Sequence, residues 1–433
     1  MEGQLKEGMK LNASGNSYTI NSLLGAGGQG EVYRVTDSRG NEHALKWYFK
    51  KMATQEQKQV LEKLVLTGSP ASCFLWPEDL IVSNGTYGYI MPLRPNNYSS
   101  IIDLVKRRVE PSFLNLCKAA YNLTKGYQEL HRLGFSYRDI SFGNLFFDPN
   151  TGDVLICDND NVSPNDDTHF SVYGTPRFMA PEIVRGEAKP SRNTDQYSLA
   201  VLLFYMLMLN HPLEGALEFK IHCMDVQAMN KLYGTEPLFI FDPDDHSNLP
   251  VKGYQDNAHI YWSLYPQYIK DLFTKAFTIG LKDPTKRVTE SEWLDAFANM
   301  ISGIIECPKC HAEVFYDPLL AEQGKSTTCW GCSRSIPMPG ALKVNKQITI
   351  MVKGQPLFSH QVNRMDGNIK TVLGTVVCNP NDPSQLGIKN ESPDNWIYLR
   401  PDGTQTLVPF GKSARVADGY IIDFGKNTKG KFC

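Results

Sequence analysis

The chain has 433 residues, which is more than one hydrophobic core usually holds, so two or three domains are expected. Its formal charge of -2 gives no electrostatic argument for binding nucleic acid or an acidic membrane. The longest apolar stretch, Leu199 to Leu209, is far shorter than the roughly 20 residues that span a bilayer, and the N-terminus lacks a signal-peptide pattern. The sequence therefore predicts a soluble, cytoplasmic protein without nucleic-acid or membrane partners.

The first 300 residues divide into a sheet-rich part and a helical part. Residues 18–50 alternate apolar and polar positions around Gly-rich and Asn-rich turns, which predicts an antiparallel sheet. Thr54 begins a Thr-x-x-Gln capping box, and helical periodicity follows it. Further apolar helices are predicted at about 112–133, 194–209 and 265–279. A small sheet-rich lobe followed by a larger helical lobe is the expected arrangement.

A glycine-rich turn connects two of the predicted strands. Gly25, Gly27 and Gly30 precede Val32, and glycines let backbone N–H groups approach phosphate oxygens without a Cβ in the way. An ordinary Gly-rich hairpin is the alternative. A dinucleotide-binding motif requires a helix directly after the last glycine, whereas a strand is predicted here.

A lysine lies in the predicted strand that follows. Lys46 is flanked by apolar residues in "HALKWY", so its ammonium group points inward and needs a partner. Glu62 on the next predicted helix is the expected carboxylate, with Glu56 as the alternative.

A second polar cluster follows the predicted strand in "VLICDNDNV". Asp158, Asn159 and Asp160 come one after another without a hydrophobic residue between them. Such a cluster is typical of a polar turn whose side chains bind their own backbone, and also of a magnesium site made of oxygen ligands.

These features resemble the protein kinase family in kind and in order. The resemblance implies that the loop of Gly25, Gly27, Gly30 and Val32 covers the phosphates of ATP, that Lys46 holds the α and β phosphates, and that Glu62 fixes Lys46.

The segment "GYIMPLRP" resembles the strand and hinge that receive adenine. The resemblance makes Met91 the gatekeeper, gives the Pro92 carbonyl the adenine amino group, and gives the Arg94 N–H the ring nitrogen. An ordinary loop after a strand is the alternative.

The segment "YRDISFGN" resembles the catalytic loop of the family. The resemblance makes Asp139 the base that accepts the substrate hydroxyl proton and Asn144 a Mg²⁺ ligand. Tyr137 replaces the usual histidine. Ser141 replaces the lysine that contacts the γ-phosphate in Ser/Thr kinases, so this stabilising charge is missing or comes from elsewhere.

Asp158 lies where the family places the Mg²⁺-binding aspartate of its Asp-Phe-Gly motif. Asn159 replaces the phenylalanine and cannot make its apolar contact with the helix, and Asp160 replaces the flexible glycine. We expect Asp160 to be solvated, with a further metal-ligand role as the alternative.

The segment "YGTPRFMAPE" is the most specific string in the chain, and it favours Ser/Thr over Tyr substrates. By the same resemblance, Thr175 lies in the loop that receives the residue after the phosphoacceptor, Glu182 pairs with buried Arg287, and Asp195 braces the catalytic loop.

Arg138 suggests activation by phosphorylation within residues 159–181, with Thr168 and Ser171 as candidate sites. The alternative is a constitutively ordered loop in which acidic residues supply the charge.

Two further modules follow the kinase-like region. Cys307, Cys310, Cys329 and Cys332 form two C-x2-C pairs, which predicts a structural Zn²⁺ bound by four thiolates in a zinc ribbon. The last 90 or so residues alternate like an all-β domain, and their final strands faintly resemble forkhead-associated phosphothreonine-reading sandwiches. The arginine and Ser-x-x-His loop of that family are missing, so a docking or autoregulatory sandwich is the alternative.

The expected fold class is α+β: a bilobal kinase-like domain, a zinc ribbon and a small all-β sandwich. The expected bounds are 13–303 for the kinase domain (lobes 13–93 and 94–303), 304–338 for the zinc ribbon and 341–433 for the β-domain.

The combination resembles bacterial kinases of tellurite-resistance-associated gene clusters, which implies a cognate metal-dependent phosphatase beside a Ser/Thr protein substrate. The predicted function is that of an ATP- and Mg²⁺-dependent Ser/Thr protein kinase. A pseudokinase scaffold and a small-molecule kinase are the alternatives.

Overall fold

The structure is a computed structural model that describes residues 3–13, 15–83, 85–165, 174–363 and 369–433. Its first lobe is a six-stranded antiparallel sheet with one helix, and the strands lie in the order β1-β2-β3-β4-β6-β5. The elements are β1 (Lys10–Ala13), β2 (Asn16–Ala26), β3 (Gly30–Thr36), β4 (Glu42–Tyr48), α1 (Gln55–Thr67), β5 (Asp79–Ser83) and β6 (Thr86–Pro92). The sheet predicted for residues 18–50 is confirmed, but the lobe begins earlier than residue 13, because Leu5 and Leu11 belong to its core.

The second lobe is built around a buried central helix. Its helices are α2 (Ile101–Val105), α3 (Phe113–Arg132), α4 (Pro181–Val184), α5 (Arg192–Met208), α6 (Ala216–Phe219), α7 (Val226–Asn230), α8 (Asp256–Leu264), α9 (Gln267–Phe277), α10 (Ile279–Lys282) and α11 (Glu290–Ser302). Its short strands are β7 (Ser99–Ser100), β8 (Phe135–Ser136), β9 (Leu145–Phe147), β10 (Val154–Ile156) and β11 (Ser163–Pro164). Every residue of α5 from Thr194 onward is buried, which explains its uniformly apolar sequence. The predicted helices correspond to α3, α5 and α9.

A hairpin of this lobe brings the two polar segments together. Strands β9 and β10 pair antiparallel, with Leu145 opposite Ile156. The segment that ends at Asn144 therefore meets the segment that begins at Cys157, and the Cys157 N–H donates to the Asn144 carbonyl at 3.0 Å. Residues far apart in sequence thus lie side by side.

Two small hairpins follow α11. They consist of β12 (Ile304–Glu306), β13 (Glu313–Phe315), α12 (Pro318–Glu322), β14 (Ser326–Thr328) and β15 (Ser335–Pro337). Phe315 packs against Phe113 and Tyr265 of the second lobe, with ring centroids 5.3 and 5.2 Å apart. The hairpins are therefore attached to the helical lobe through a shared aromatic core.

The remaining chain forms a β-sandwich. Its elements are β16 (Ala341–Val344), β17 (Gln347–Ile350), β18 (Pro356–Phe358), α13 (Ser359–Val362), β19 (Val372–Asn379), β20 (Asp382–Asn390), β21 (Trp396–Leu399), β22 (Gln405–Val408), β23 (Ser413–Arg415), β24 (Ile421–Gly425) and β25 (Thr428–Phe432). A six-stranded and a four-stranded sheet enclose a core that includes Trp396. The Asn299 amide of α11 donates to the Lys346 carbonyl at 3.1 Å and accepts from the Ile348 N–H at 2.9 Å, which docks the sandwich on the helical lobe.

Across the described ranges, every helix is too short or too polar to cross a lipid bilayer.

Candidate active site

The segment Tyr137–Asn144 is anchored from below by one buried carboxylate. Asp195, on α5 and 1% exposed, accepts the backbone N–H of Tyr137 at 2.6 Å and that of Arg138 at 2.9 Å. A carboxylate that accepts two backbone N–H groups in a buried place fixes the main chain firmly. This is the bracing contact that the sequence predicts for Asp195.

Asp139 emerges from this anchored segment with its carboxylate oriented by two neighbours. Thr175 donates its hydroxyl to Asp139 Oδ1 at 2.7 Å. The amide nitrogen of Asn144 donates to the Asp139 carbonyl at 2.8 Å and lies 3.5 Å from Oδ2. The carboxylate is half-buried and held in place by these hydrogen bonds.

Asp158 lies beside Asn144 and meets the requirements of a Mg²⁺ ligand. Its side chain is 44% exposed, so its oxygens can be reached. The amide nitrogen of Asn144 is engaged with Asp139, which leaves the Asn144 oxygen for a cation. Mg²⁺ is bound through one or two protein oxygens plus substrate phosphates, and this donor set fits that pattern.

The backbone of Asp158 is left-handed, with φ 55° and ψ 43°. Aspartate tolerates this region better than most residues do, and such conformations concentrate at functional sites. The conformation sends the chain directly into the short turn Asn159–Asn161.

Lys46 reaches this turn from β4 of the other lobe. Its Nζ lies 2.8 Å from Asp160 Oδ2, 3.4 Å from Asp158 Oδ1 and 3.3 Å from Gln29 Oε1 of the glycine-rich loop. Burial alone would lower the pKa of Lys46, but the charges of Asp160 and Asp158 outweigh it and raise the pKa. Lys46 is therefore a buried, charged group at the center of the site.

The prediction that Glu62 pairs with Lys46 is wrong. Glu62 has its side chain 48% exposed and pairs with Lys58 at 3.6 Å on the outer face of α1. The alternative, Glu56, is exposed in the first turn. The inner face of α1 instead presents Gln57, whose amide donates to the Asp160 carbonyl at 2.7 Å, and the buried Leu61.

The two residues after Asp158 are buried, which corrects the expectation that Asp160 is solvated. Asp160 is 2% exposed, and the Tyr48 hydroxyl also donates to its Oδ2. Burial and the charge of Asp160 raise the pKa of Tyr48 well above its usual value, so Tyr48 remains a neutral donor. Asn159 is fully buried and donates to the Leu75 carbonyl at 2.9 Å and the Ile156 carbonyl at 3.1 Å. Its amide thus replaces an apolar contact with hydrogen bonds.

The predicted adenine side of the cleft is apolar. Met91 is 6% exposed at the end of β6 and lies opposite Ala44 of β4. Phe146 packs against the same cluster, and the Arg94 guanidinium stacks on the Phe146 ring at 4.0 Å. The roles predicted for Met91, Pro92 and Arg94 stay predictions. Phe146 was missed because no polar pattern marks it.

The glycine-rich loop joins β2 and β3. A Cβ at Gly25 or Gly27 would meet nothing within 4 Å, and the Gly27 N–H donates to the Gly30 carbonyl at 2.8 Å. At Gly30 a Cβ would meet the Trp47 carbonyl oxygen at 2.1 Å, which excludes any other residue there. Val32 packs at the edge of the apolar cluster that contains Met91. The phosphate contact of this loop stays a prediction.

The structural ion pair predicted between Glu182 and Arg287 is confirmed. The Arg287 guanidinium donates to Glu182 Oε2 at 2.8 Å, and both side chains are buried. The pair fixes the segment that carries Thr175 against the helical lobe. Thr168 and Ser171, the candidate phosphorylation sites, lie outside the described residues.

The four predicted zinc ligands are brought together by the two hairpins. The Sγ atoms of Cys307, Cys310, Cys329 and Cys332 all lie within 4.8 Å of one another. Tetrahedral coordination with Zn–S bonds of about 2.3 Å places sulfur atoms about 3.8 Å apart. The pairs Cys307–Cys332 at 3.7 Å and Cys310–Cys329 at 3.5 Å are close to this value.

The two hairpin turns have matching backbone hydrogen bonds. His311 N–H donates to the Cys307 carbonyl at 2.9 Å, and Ser333 N–H donates to the Cys329 carbonyl at 2.8 Å. His311 and Ser333 are both left-handed, with φ near 60°. Backbone N–H groups of Lys309 and Cys310 lower the pKa of the Cys307 thiol, whereas the neighbouring cysteines raise the pKa of Cys310.

Comparison with known proteins places this geometry in a family. A model of the protein kinase domain matches residues 18–297, which is more than half of the chain. A probable serine/threonine-protein kinase CCRP1 of Zea mays is 27% identical over 47% of this chain and 34% of its own length. Beta-adrenergic receptor kinase 1 of Mesocricetus auratus is 26% identical over 47% of this chain and 30% of its own length.

The cell cycle serine/threonine-protein kinase CDC5/MSD2 of Saccharomyces cerevisiae is 24% identical over 47% of this chain and 30% of its own length. The aligned region thus spans about a third of these relatives. The similarity concerns the part of the chain in which Lys46, Asp139, Asn144 and Asp158 lie together. The chain belongs to the protein kinase family.

Proposed function

We propose that the chain is an ATP- and Mg²⁺-dependent protein kinase that transfers the γ-phosphoryl group of ATP to a Ser or Thr hydroxyl of a protein. The observation that carries the proposal is the arrangement around Asp139. Its carboxylate accepts the Thr175 hydroxyl, its carbonyl accepts the Asn144 amide, and its backbone neighbours are anchored by Asp195. These contacts hold the Asp139 carboxylate in one orientation, as the proposed transfer of a proton from the substrate hydroxyl requires.

In the proposed reaction, each residue has a distinct role. Asp139 orients the substrate hydroxyl and accepts its proton. Asp158 and Asn144 hold Mg²⁺, which neutralises charge on the phosphates. Lys46 binds phosphate oxygens from the opposite lobe, and the backbone of the glycine-rich loop covers them. Thr175 adjoins Asp139, in a position to help align the hydroxyl.

The Ser/Thr preference is supported by the Gly174-Thr175-Pro176 sequence and by the names of the relatives. Ser141, which is 7% exposed, supplies no cation where Ser/Thr kinases of the family carry a lysine. Within the proposal, Lys46 and Mg²⁺ supply the charge that stabilises the transition state.

Transfer of labelled phosphate from ATP with Mg²⁺ to the chain itself and to a generic Ser/Thr protein substrate tests the proposal. We expect Asp139→Asn to lower the rate about 100-fold or more, because general-base catalysis contributes roughly that factor. Asp158→Ala should abolish transfer through loss of the metal ligand. Asp271→Asn, which changes an exposed aspartate on α9, is the matched control.

A pseudokinase is the rival function, and the replacements at Ser141 and Asn159 favour it. The two functions separate in the phosphate-transfer experiment. A pseudokinase would bind ATP without transferring phosphate to any substrate, and Asp139→Asn would change nothing. Equal labelling of wild type and Asp139→Asn would contradict the kinase.

We further propose that residues 304–338 form a zinc ribbon around a structural Zn²⁺. The support is the near-tetrahedral spacing of four sulfur atoms and the matched hairpin turns. Four thiolates leave no open position, so the ion stabilises rather than catalyses.

Metal analysis after purification under reducing conditions should find about one zinc per chain, as expected for one four-thiolate site. Cys307→Ser should lose the metal and lower the thermal unfolding midpoint, whereas Cys223→Ser, at an exposed free cysteine, should retain both. A wild-type chain without zinc would contradict this assignment.

The proposed role of residues 341–433 is docking or regulation. The sandwich is attached to α11, where the Gln361 amide donates to Ser302 Oγ at 2.9 Å. In more detail, we propose that the sandwich binds phosphothreonine or a cognate phosphatase. Co-purification of the phosphatase with full-length chain, tested against a variant altered on the exposed Phe410, would examine the docking role.

A further inference from the structure

We propose that Asp160 is the positioning residue for Lys46, in place of a carboxylate on helix α1. The inference rests on the proposed function, because the orientation of Lys46 matters only if the site binds nucleotide. Asp160 occupies the position of the glycine in the Asp-Phe-Gly motif and here receives a role of its own. Glu62 has no role in the site under this proposal.

The geometry of the ion pair favours Asp160 over every other described carboxylate. Asp160 Oδ2 lies 2.8 Å from Lys46 Nζ, whereas Asp158 Oδ1 lies 3.4 Å away. The side chain of Asp160 is 1% exposed, and that of Lys46 is 8% exposed. Little solvent screens a charge pair buried in this way, and removing either partner leaves the other as an uncompensated buried charge.

Asp158 also pairs with Lys46, at the longer distance of 3.4 Å, but its side chain is 44% exposed and can be reached by a cation. In this proposal the two carboxylates of the turn have different roles: Asp160 positions Lys46, and Asp158 binds the cation.

Helix α1 contributes an amide where the family contributes a carboxylate. Gln57 lies four residues before Leu61, so both occupy the inner face of the helix. The Gln57 amide reaches the Asp160 backbone carbonyl at 2.7 Å but carries no charge for Lys46. Glu62, on the outer face, is bound to Lys58.

The two carboxylate oxygens of Asp160 differ in their hydrogen bonding. Oδ2 accepts from both Lys46 and Tyr48, while Oδ1 is buried without a hydrogen-bond partner among the described residues. A second role for Asp160 as a metal ligand is therefore the outcome that the experiment must separate from positioning.

The consequence concerns how the site is assembled. In this chain the charge partner of Lys46 and the Mg²⁺ ligand lie two residues apart on one turn. Movement of α1 breaks an amide contact but not the ion pair. The orientation of Lys46 is therefore governed by the turn itself rather than by the helix.

The test is ATP binding by the full-length chain, measured by calorimetry with and without Mg²⁺. Asp160→Asn should weaken ATP binding about 10-fold or more both with Mg²⁺ and in EDTA, which corresponds to about 1.4 kcal/mol or more. Adding Gln57→Glu to Asp160→Asn should restore most of the affinity, because it returns a carboxylate to the inner face of α1. Glu62→Gln should bind ATP like the wild type.

Rescue by Gln57→Glu separates a positioning role of Asp160 from a purely structural one. A structural defect caused by Asp160→Asn would not be repaired by a carboxylate at position 57. A defect seen only with Mg²⁺ would show that Asp160 is a metal ligand and would overturn the proposal. Wild-type binding by Asp160→Asn, or a defect in Glu62→Gln as large as in Asp160→Asn, would also overturn it.

If Asp160→Asn does not fold, the charge-conserving double variant Gln57→Glu with Asp160→Asn still decides. Near-wild-type ATP binding by that folded double variant supports the proposal, and loss of binding contradicts it. The binding measurement is independent of phosphoryl transfer. A chain that binds ATP through Lys46 and Asp160 but transfers no phosphate would refute the proposed function while leaving this inference standing.

Discussion

The loop Tyr137–Asn144 and the turn Asp158–Asp160 lie side by side but are held by different forces. Backbone N–H groups of the loop bind Asp195 within the same lobe. Side chains of the turn bind Lys46, Tyr48 and Gln57 of the opposite lobe, directly or through the backbone. The loop therefore depends on the integrity of the helical lobe alone, whereas the turn depends on the closeness of both lobes.

The largest expected effect concerns the anchor of the catalytic loop. Asp195→Asn removes the charge that two backbone N–H groups and His131 share, and breaking a buried charged network costs about 3–5 kcal/mol. We expect urea denaturation to show this loss and phosphate transfer to fall below detection.

Asp271→Asn, which makes the same change at an exposed aspartate of α9, is the control. If Asp195→Asn retains wild-type stability, contacts other than those of the Asp195 carboxylate hold the loop.

The same anchor gives the loop a pH dependence. His131 lies between Asp195 and Glu290, at 3.1 and 2.6 Å, and Arg192 also binds Glu290. Burial lowers the pKa of His131, but its bonds to the two carboxylates outweigh this and raise the pKa from 6.5 to about 9. The stabilisation is complete below pH 6.5 and is lost as the pH rises to about 9.

The free energy of unfolding should thus fall by on the order of 2 kcal/mol over this interval. Urea denaturation at both ends of it should show the decline in the wild type and a flat profile in His131→Gln. The same decline in both proteins would locate the titrating group elsewhere.

A smaller effect is expected in the turn, at the amide that replaces phenylalanine. Asn159→Ala leaves the Leu75 carbonyl without its side-chain donor, and an unsatisfied buried group costs about 1–3 kcal/mol. Thermal unfolding should show the loss, while Asn161→Ala, at a partly exposed neighbour, should change little. Equal effects of the two variants would mean that the Asn159 contacts carry no special weight.

The smallest effect concerns the second donor to Asp160. Tyr48→Phe removes one hydrogen bond while the Lys46 pair remains, so we expect a loss of about 1 kcal/mol in stability. ATP affinity should change less than in Asp160→Asn, measured in the same calorimeter. A defect as large as that of Asp160→Asn would shift the main role from the lysine pair to the tyrosine.

The loop residues could be found from sequence because their spacing is local. Asp139 and Asn144 lie five residues apart, and the hairpin of β9 and β10 then brings Asp158 beside them. Capping and apolar periodicity likewise placed α1, whose N-cap Thr54 accepts from the Gln57 N–H at 3.2 Å. These features depend on nearest neighbours along the chain.

The partner of Lys46 could not be found that way. A search for a carboxylate selected Glu62, although the buried Leu61 and Leu64 define the inner face of α1 and place Gln57 on it. Acidic residues in turns are commonly solvated, whereas Asp160 is buried by contacts with Lys46 and Tyr48 of the other lobe. Long-range packing decided both cases.

Phe315 gives the chain an order of assembly. The helical lobe ends with α11, yet one aromatic group of its core, packed between Phe113 and Tyr265, belongs to the first cysteine hairpin. During synthesis this core stays incomplete until the hairpin has emerged. A fragment that stops at residue 303 would leave Phe113 and Tyr265 without this contact, so we expect it to be less stable than a fragment that includes the first hairpin.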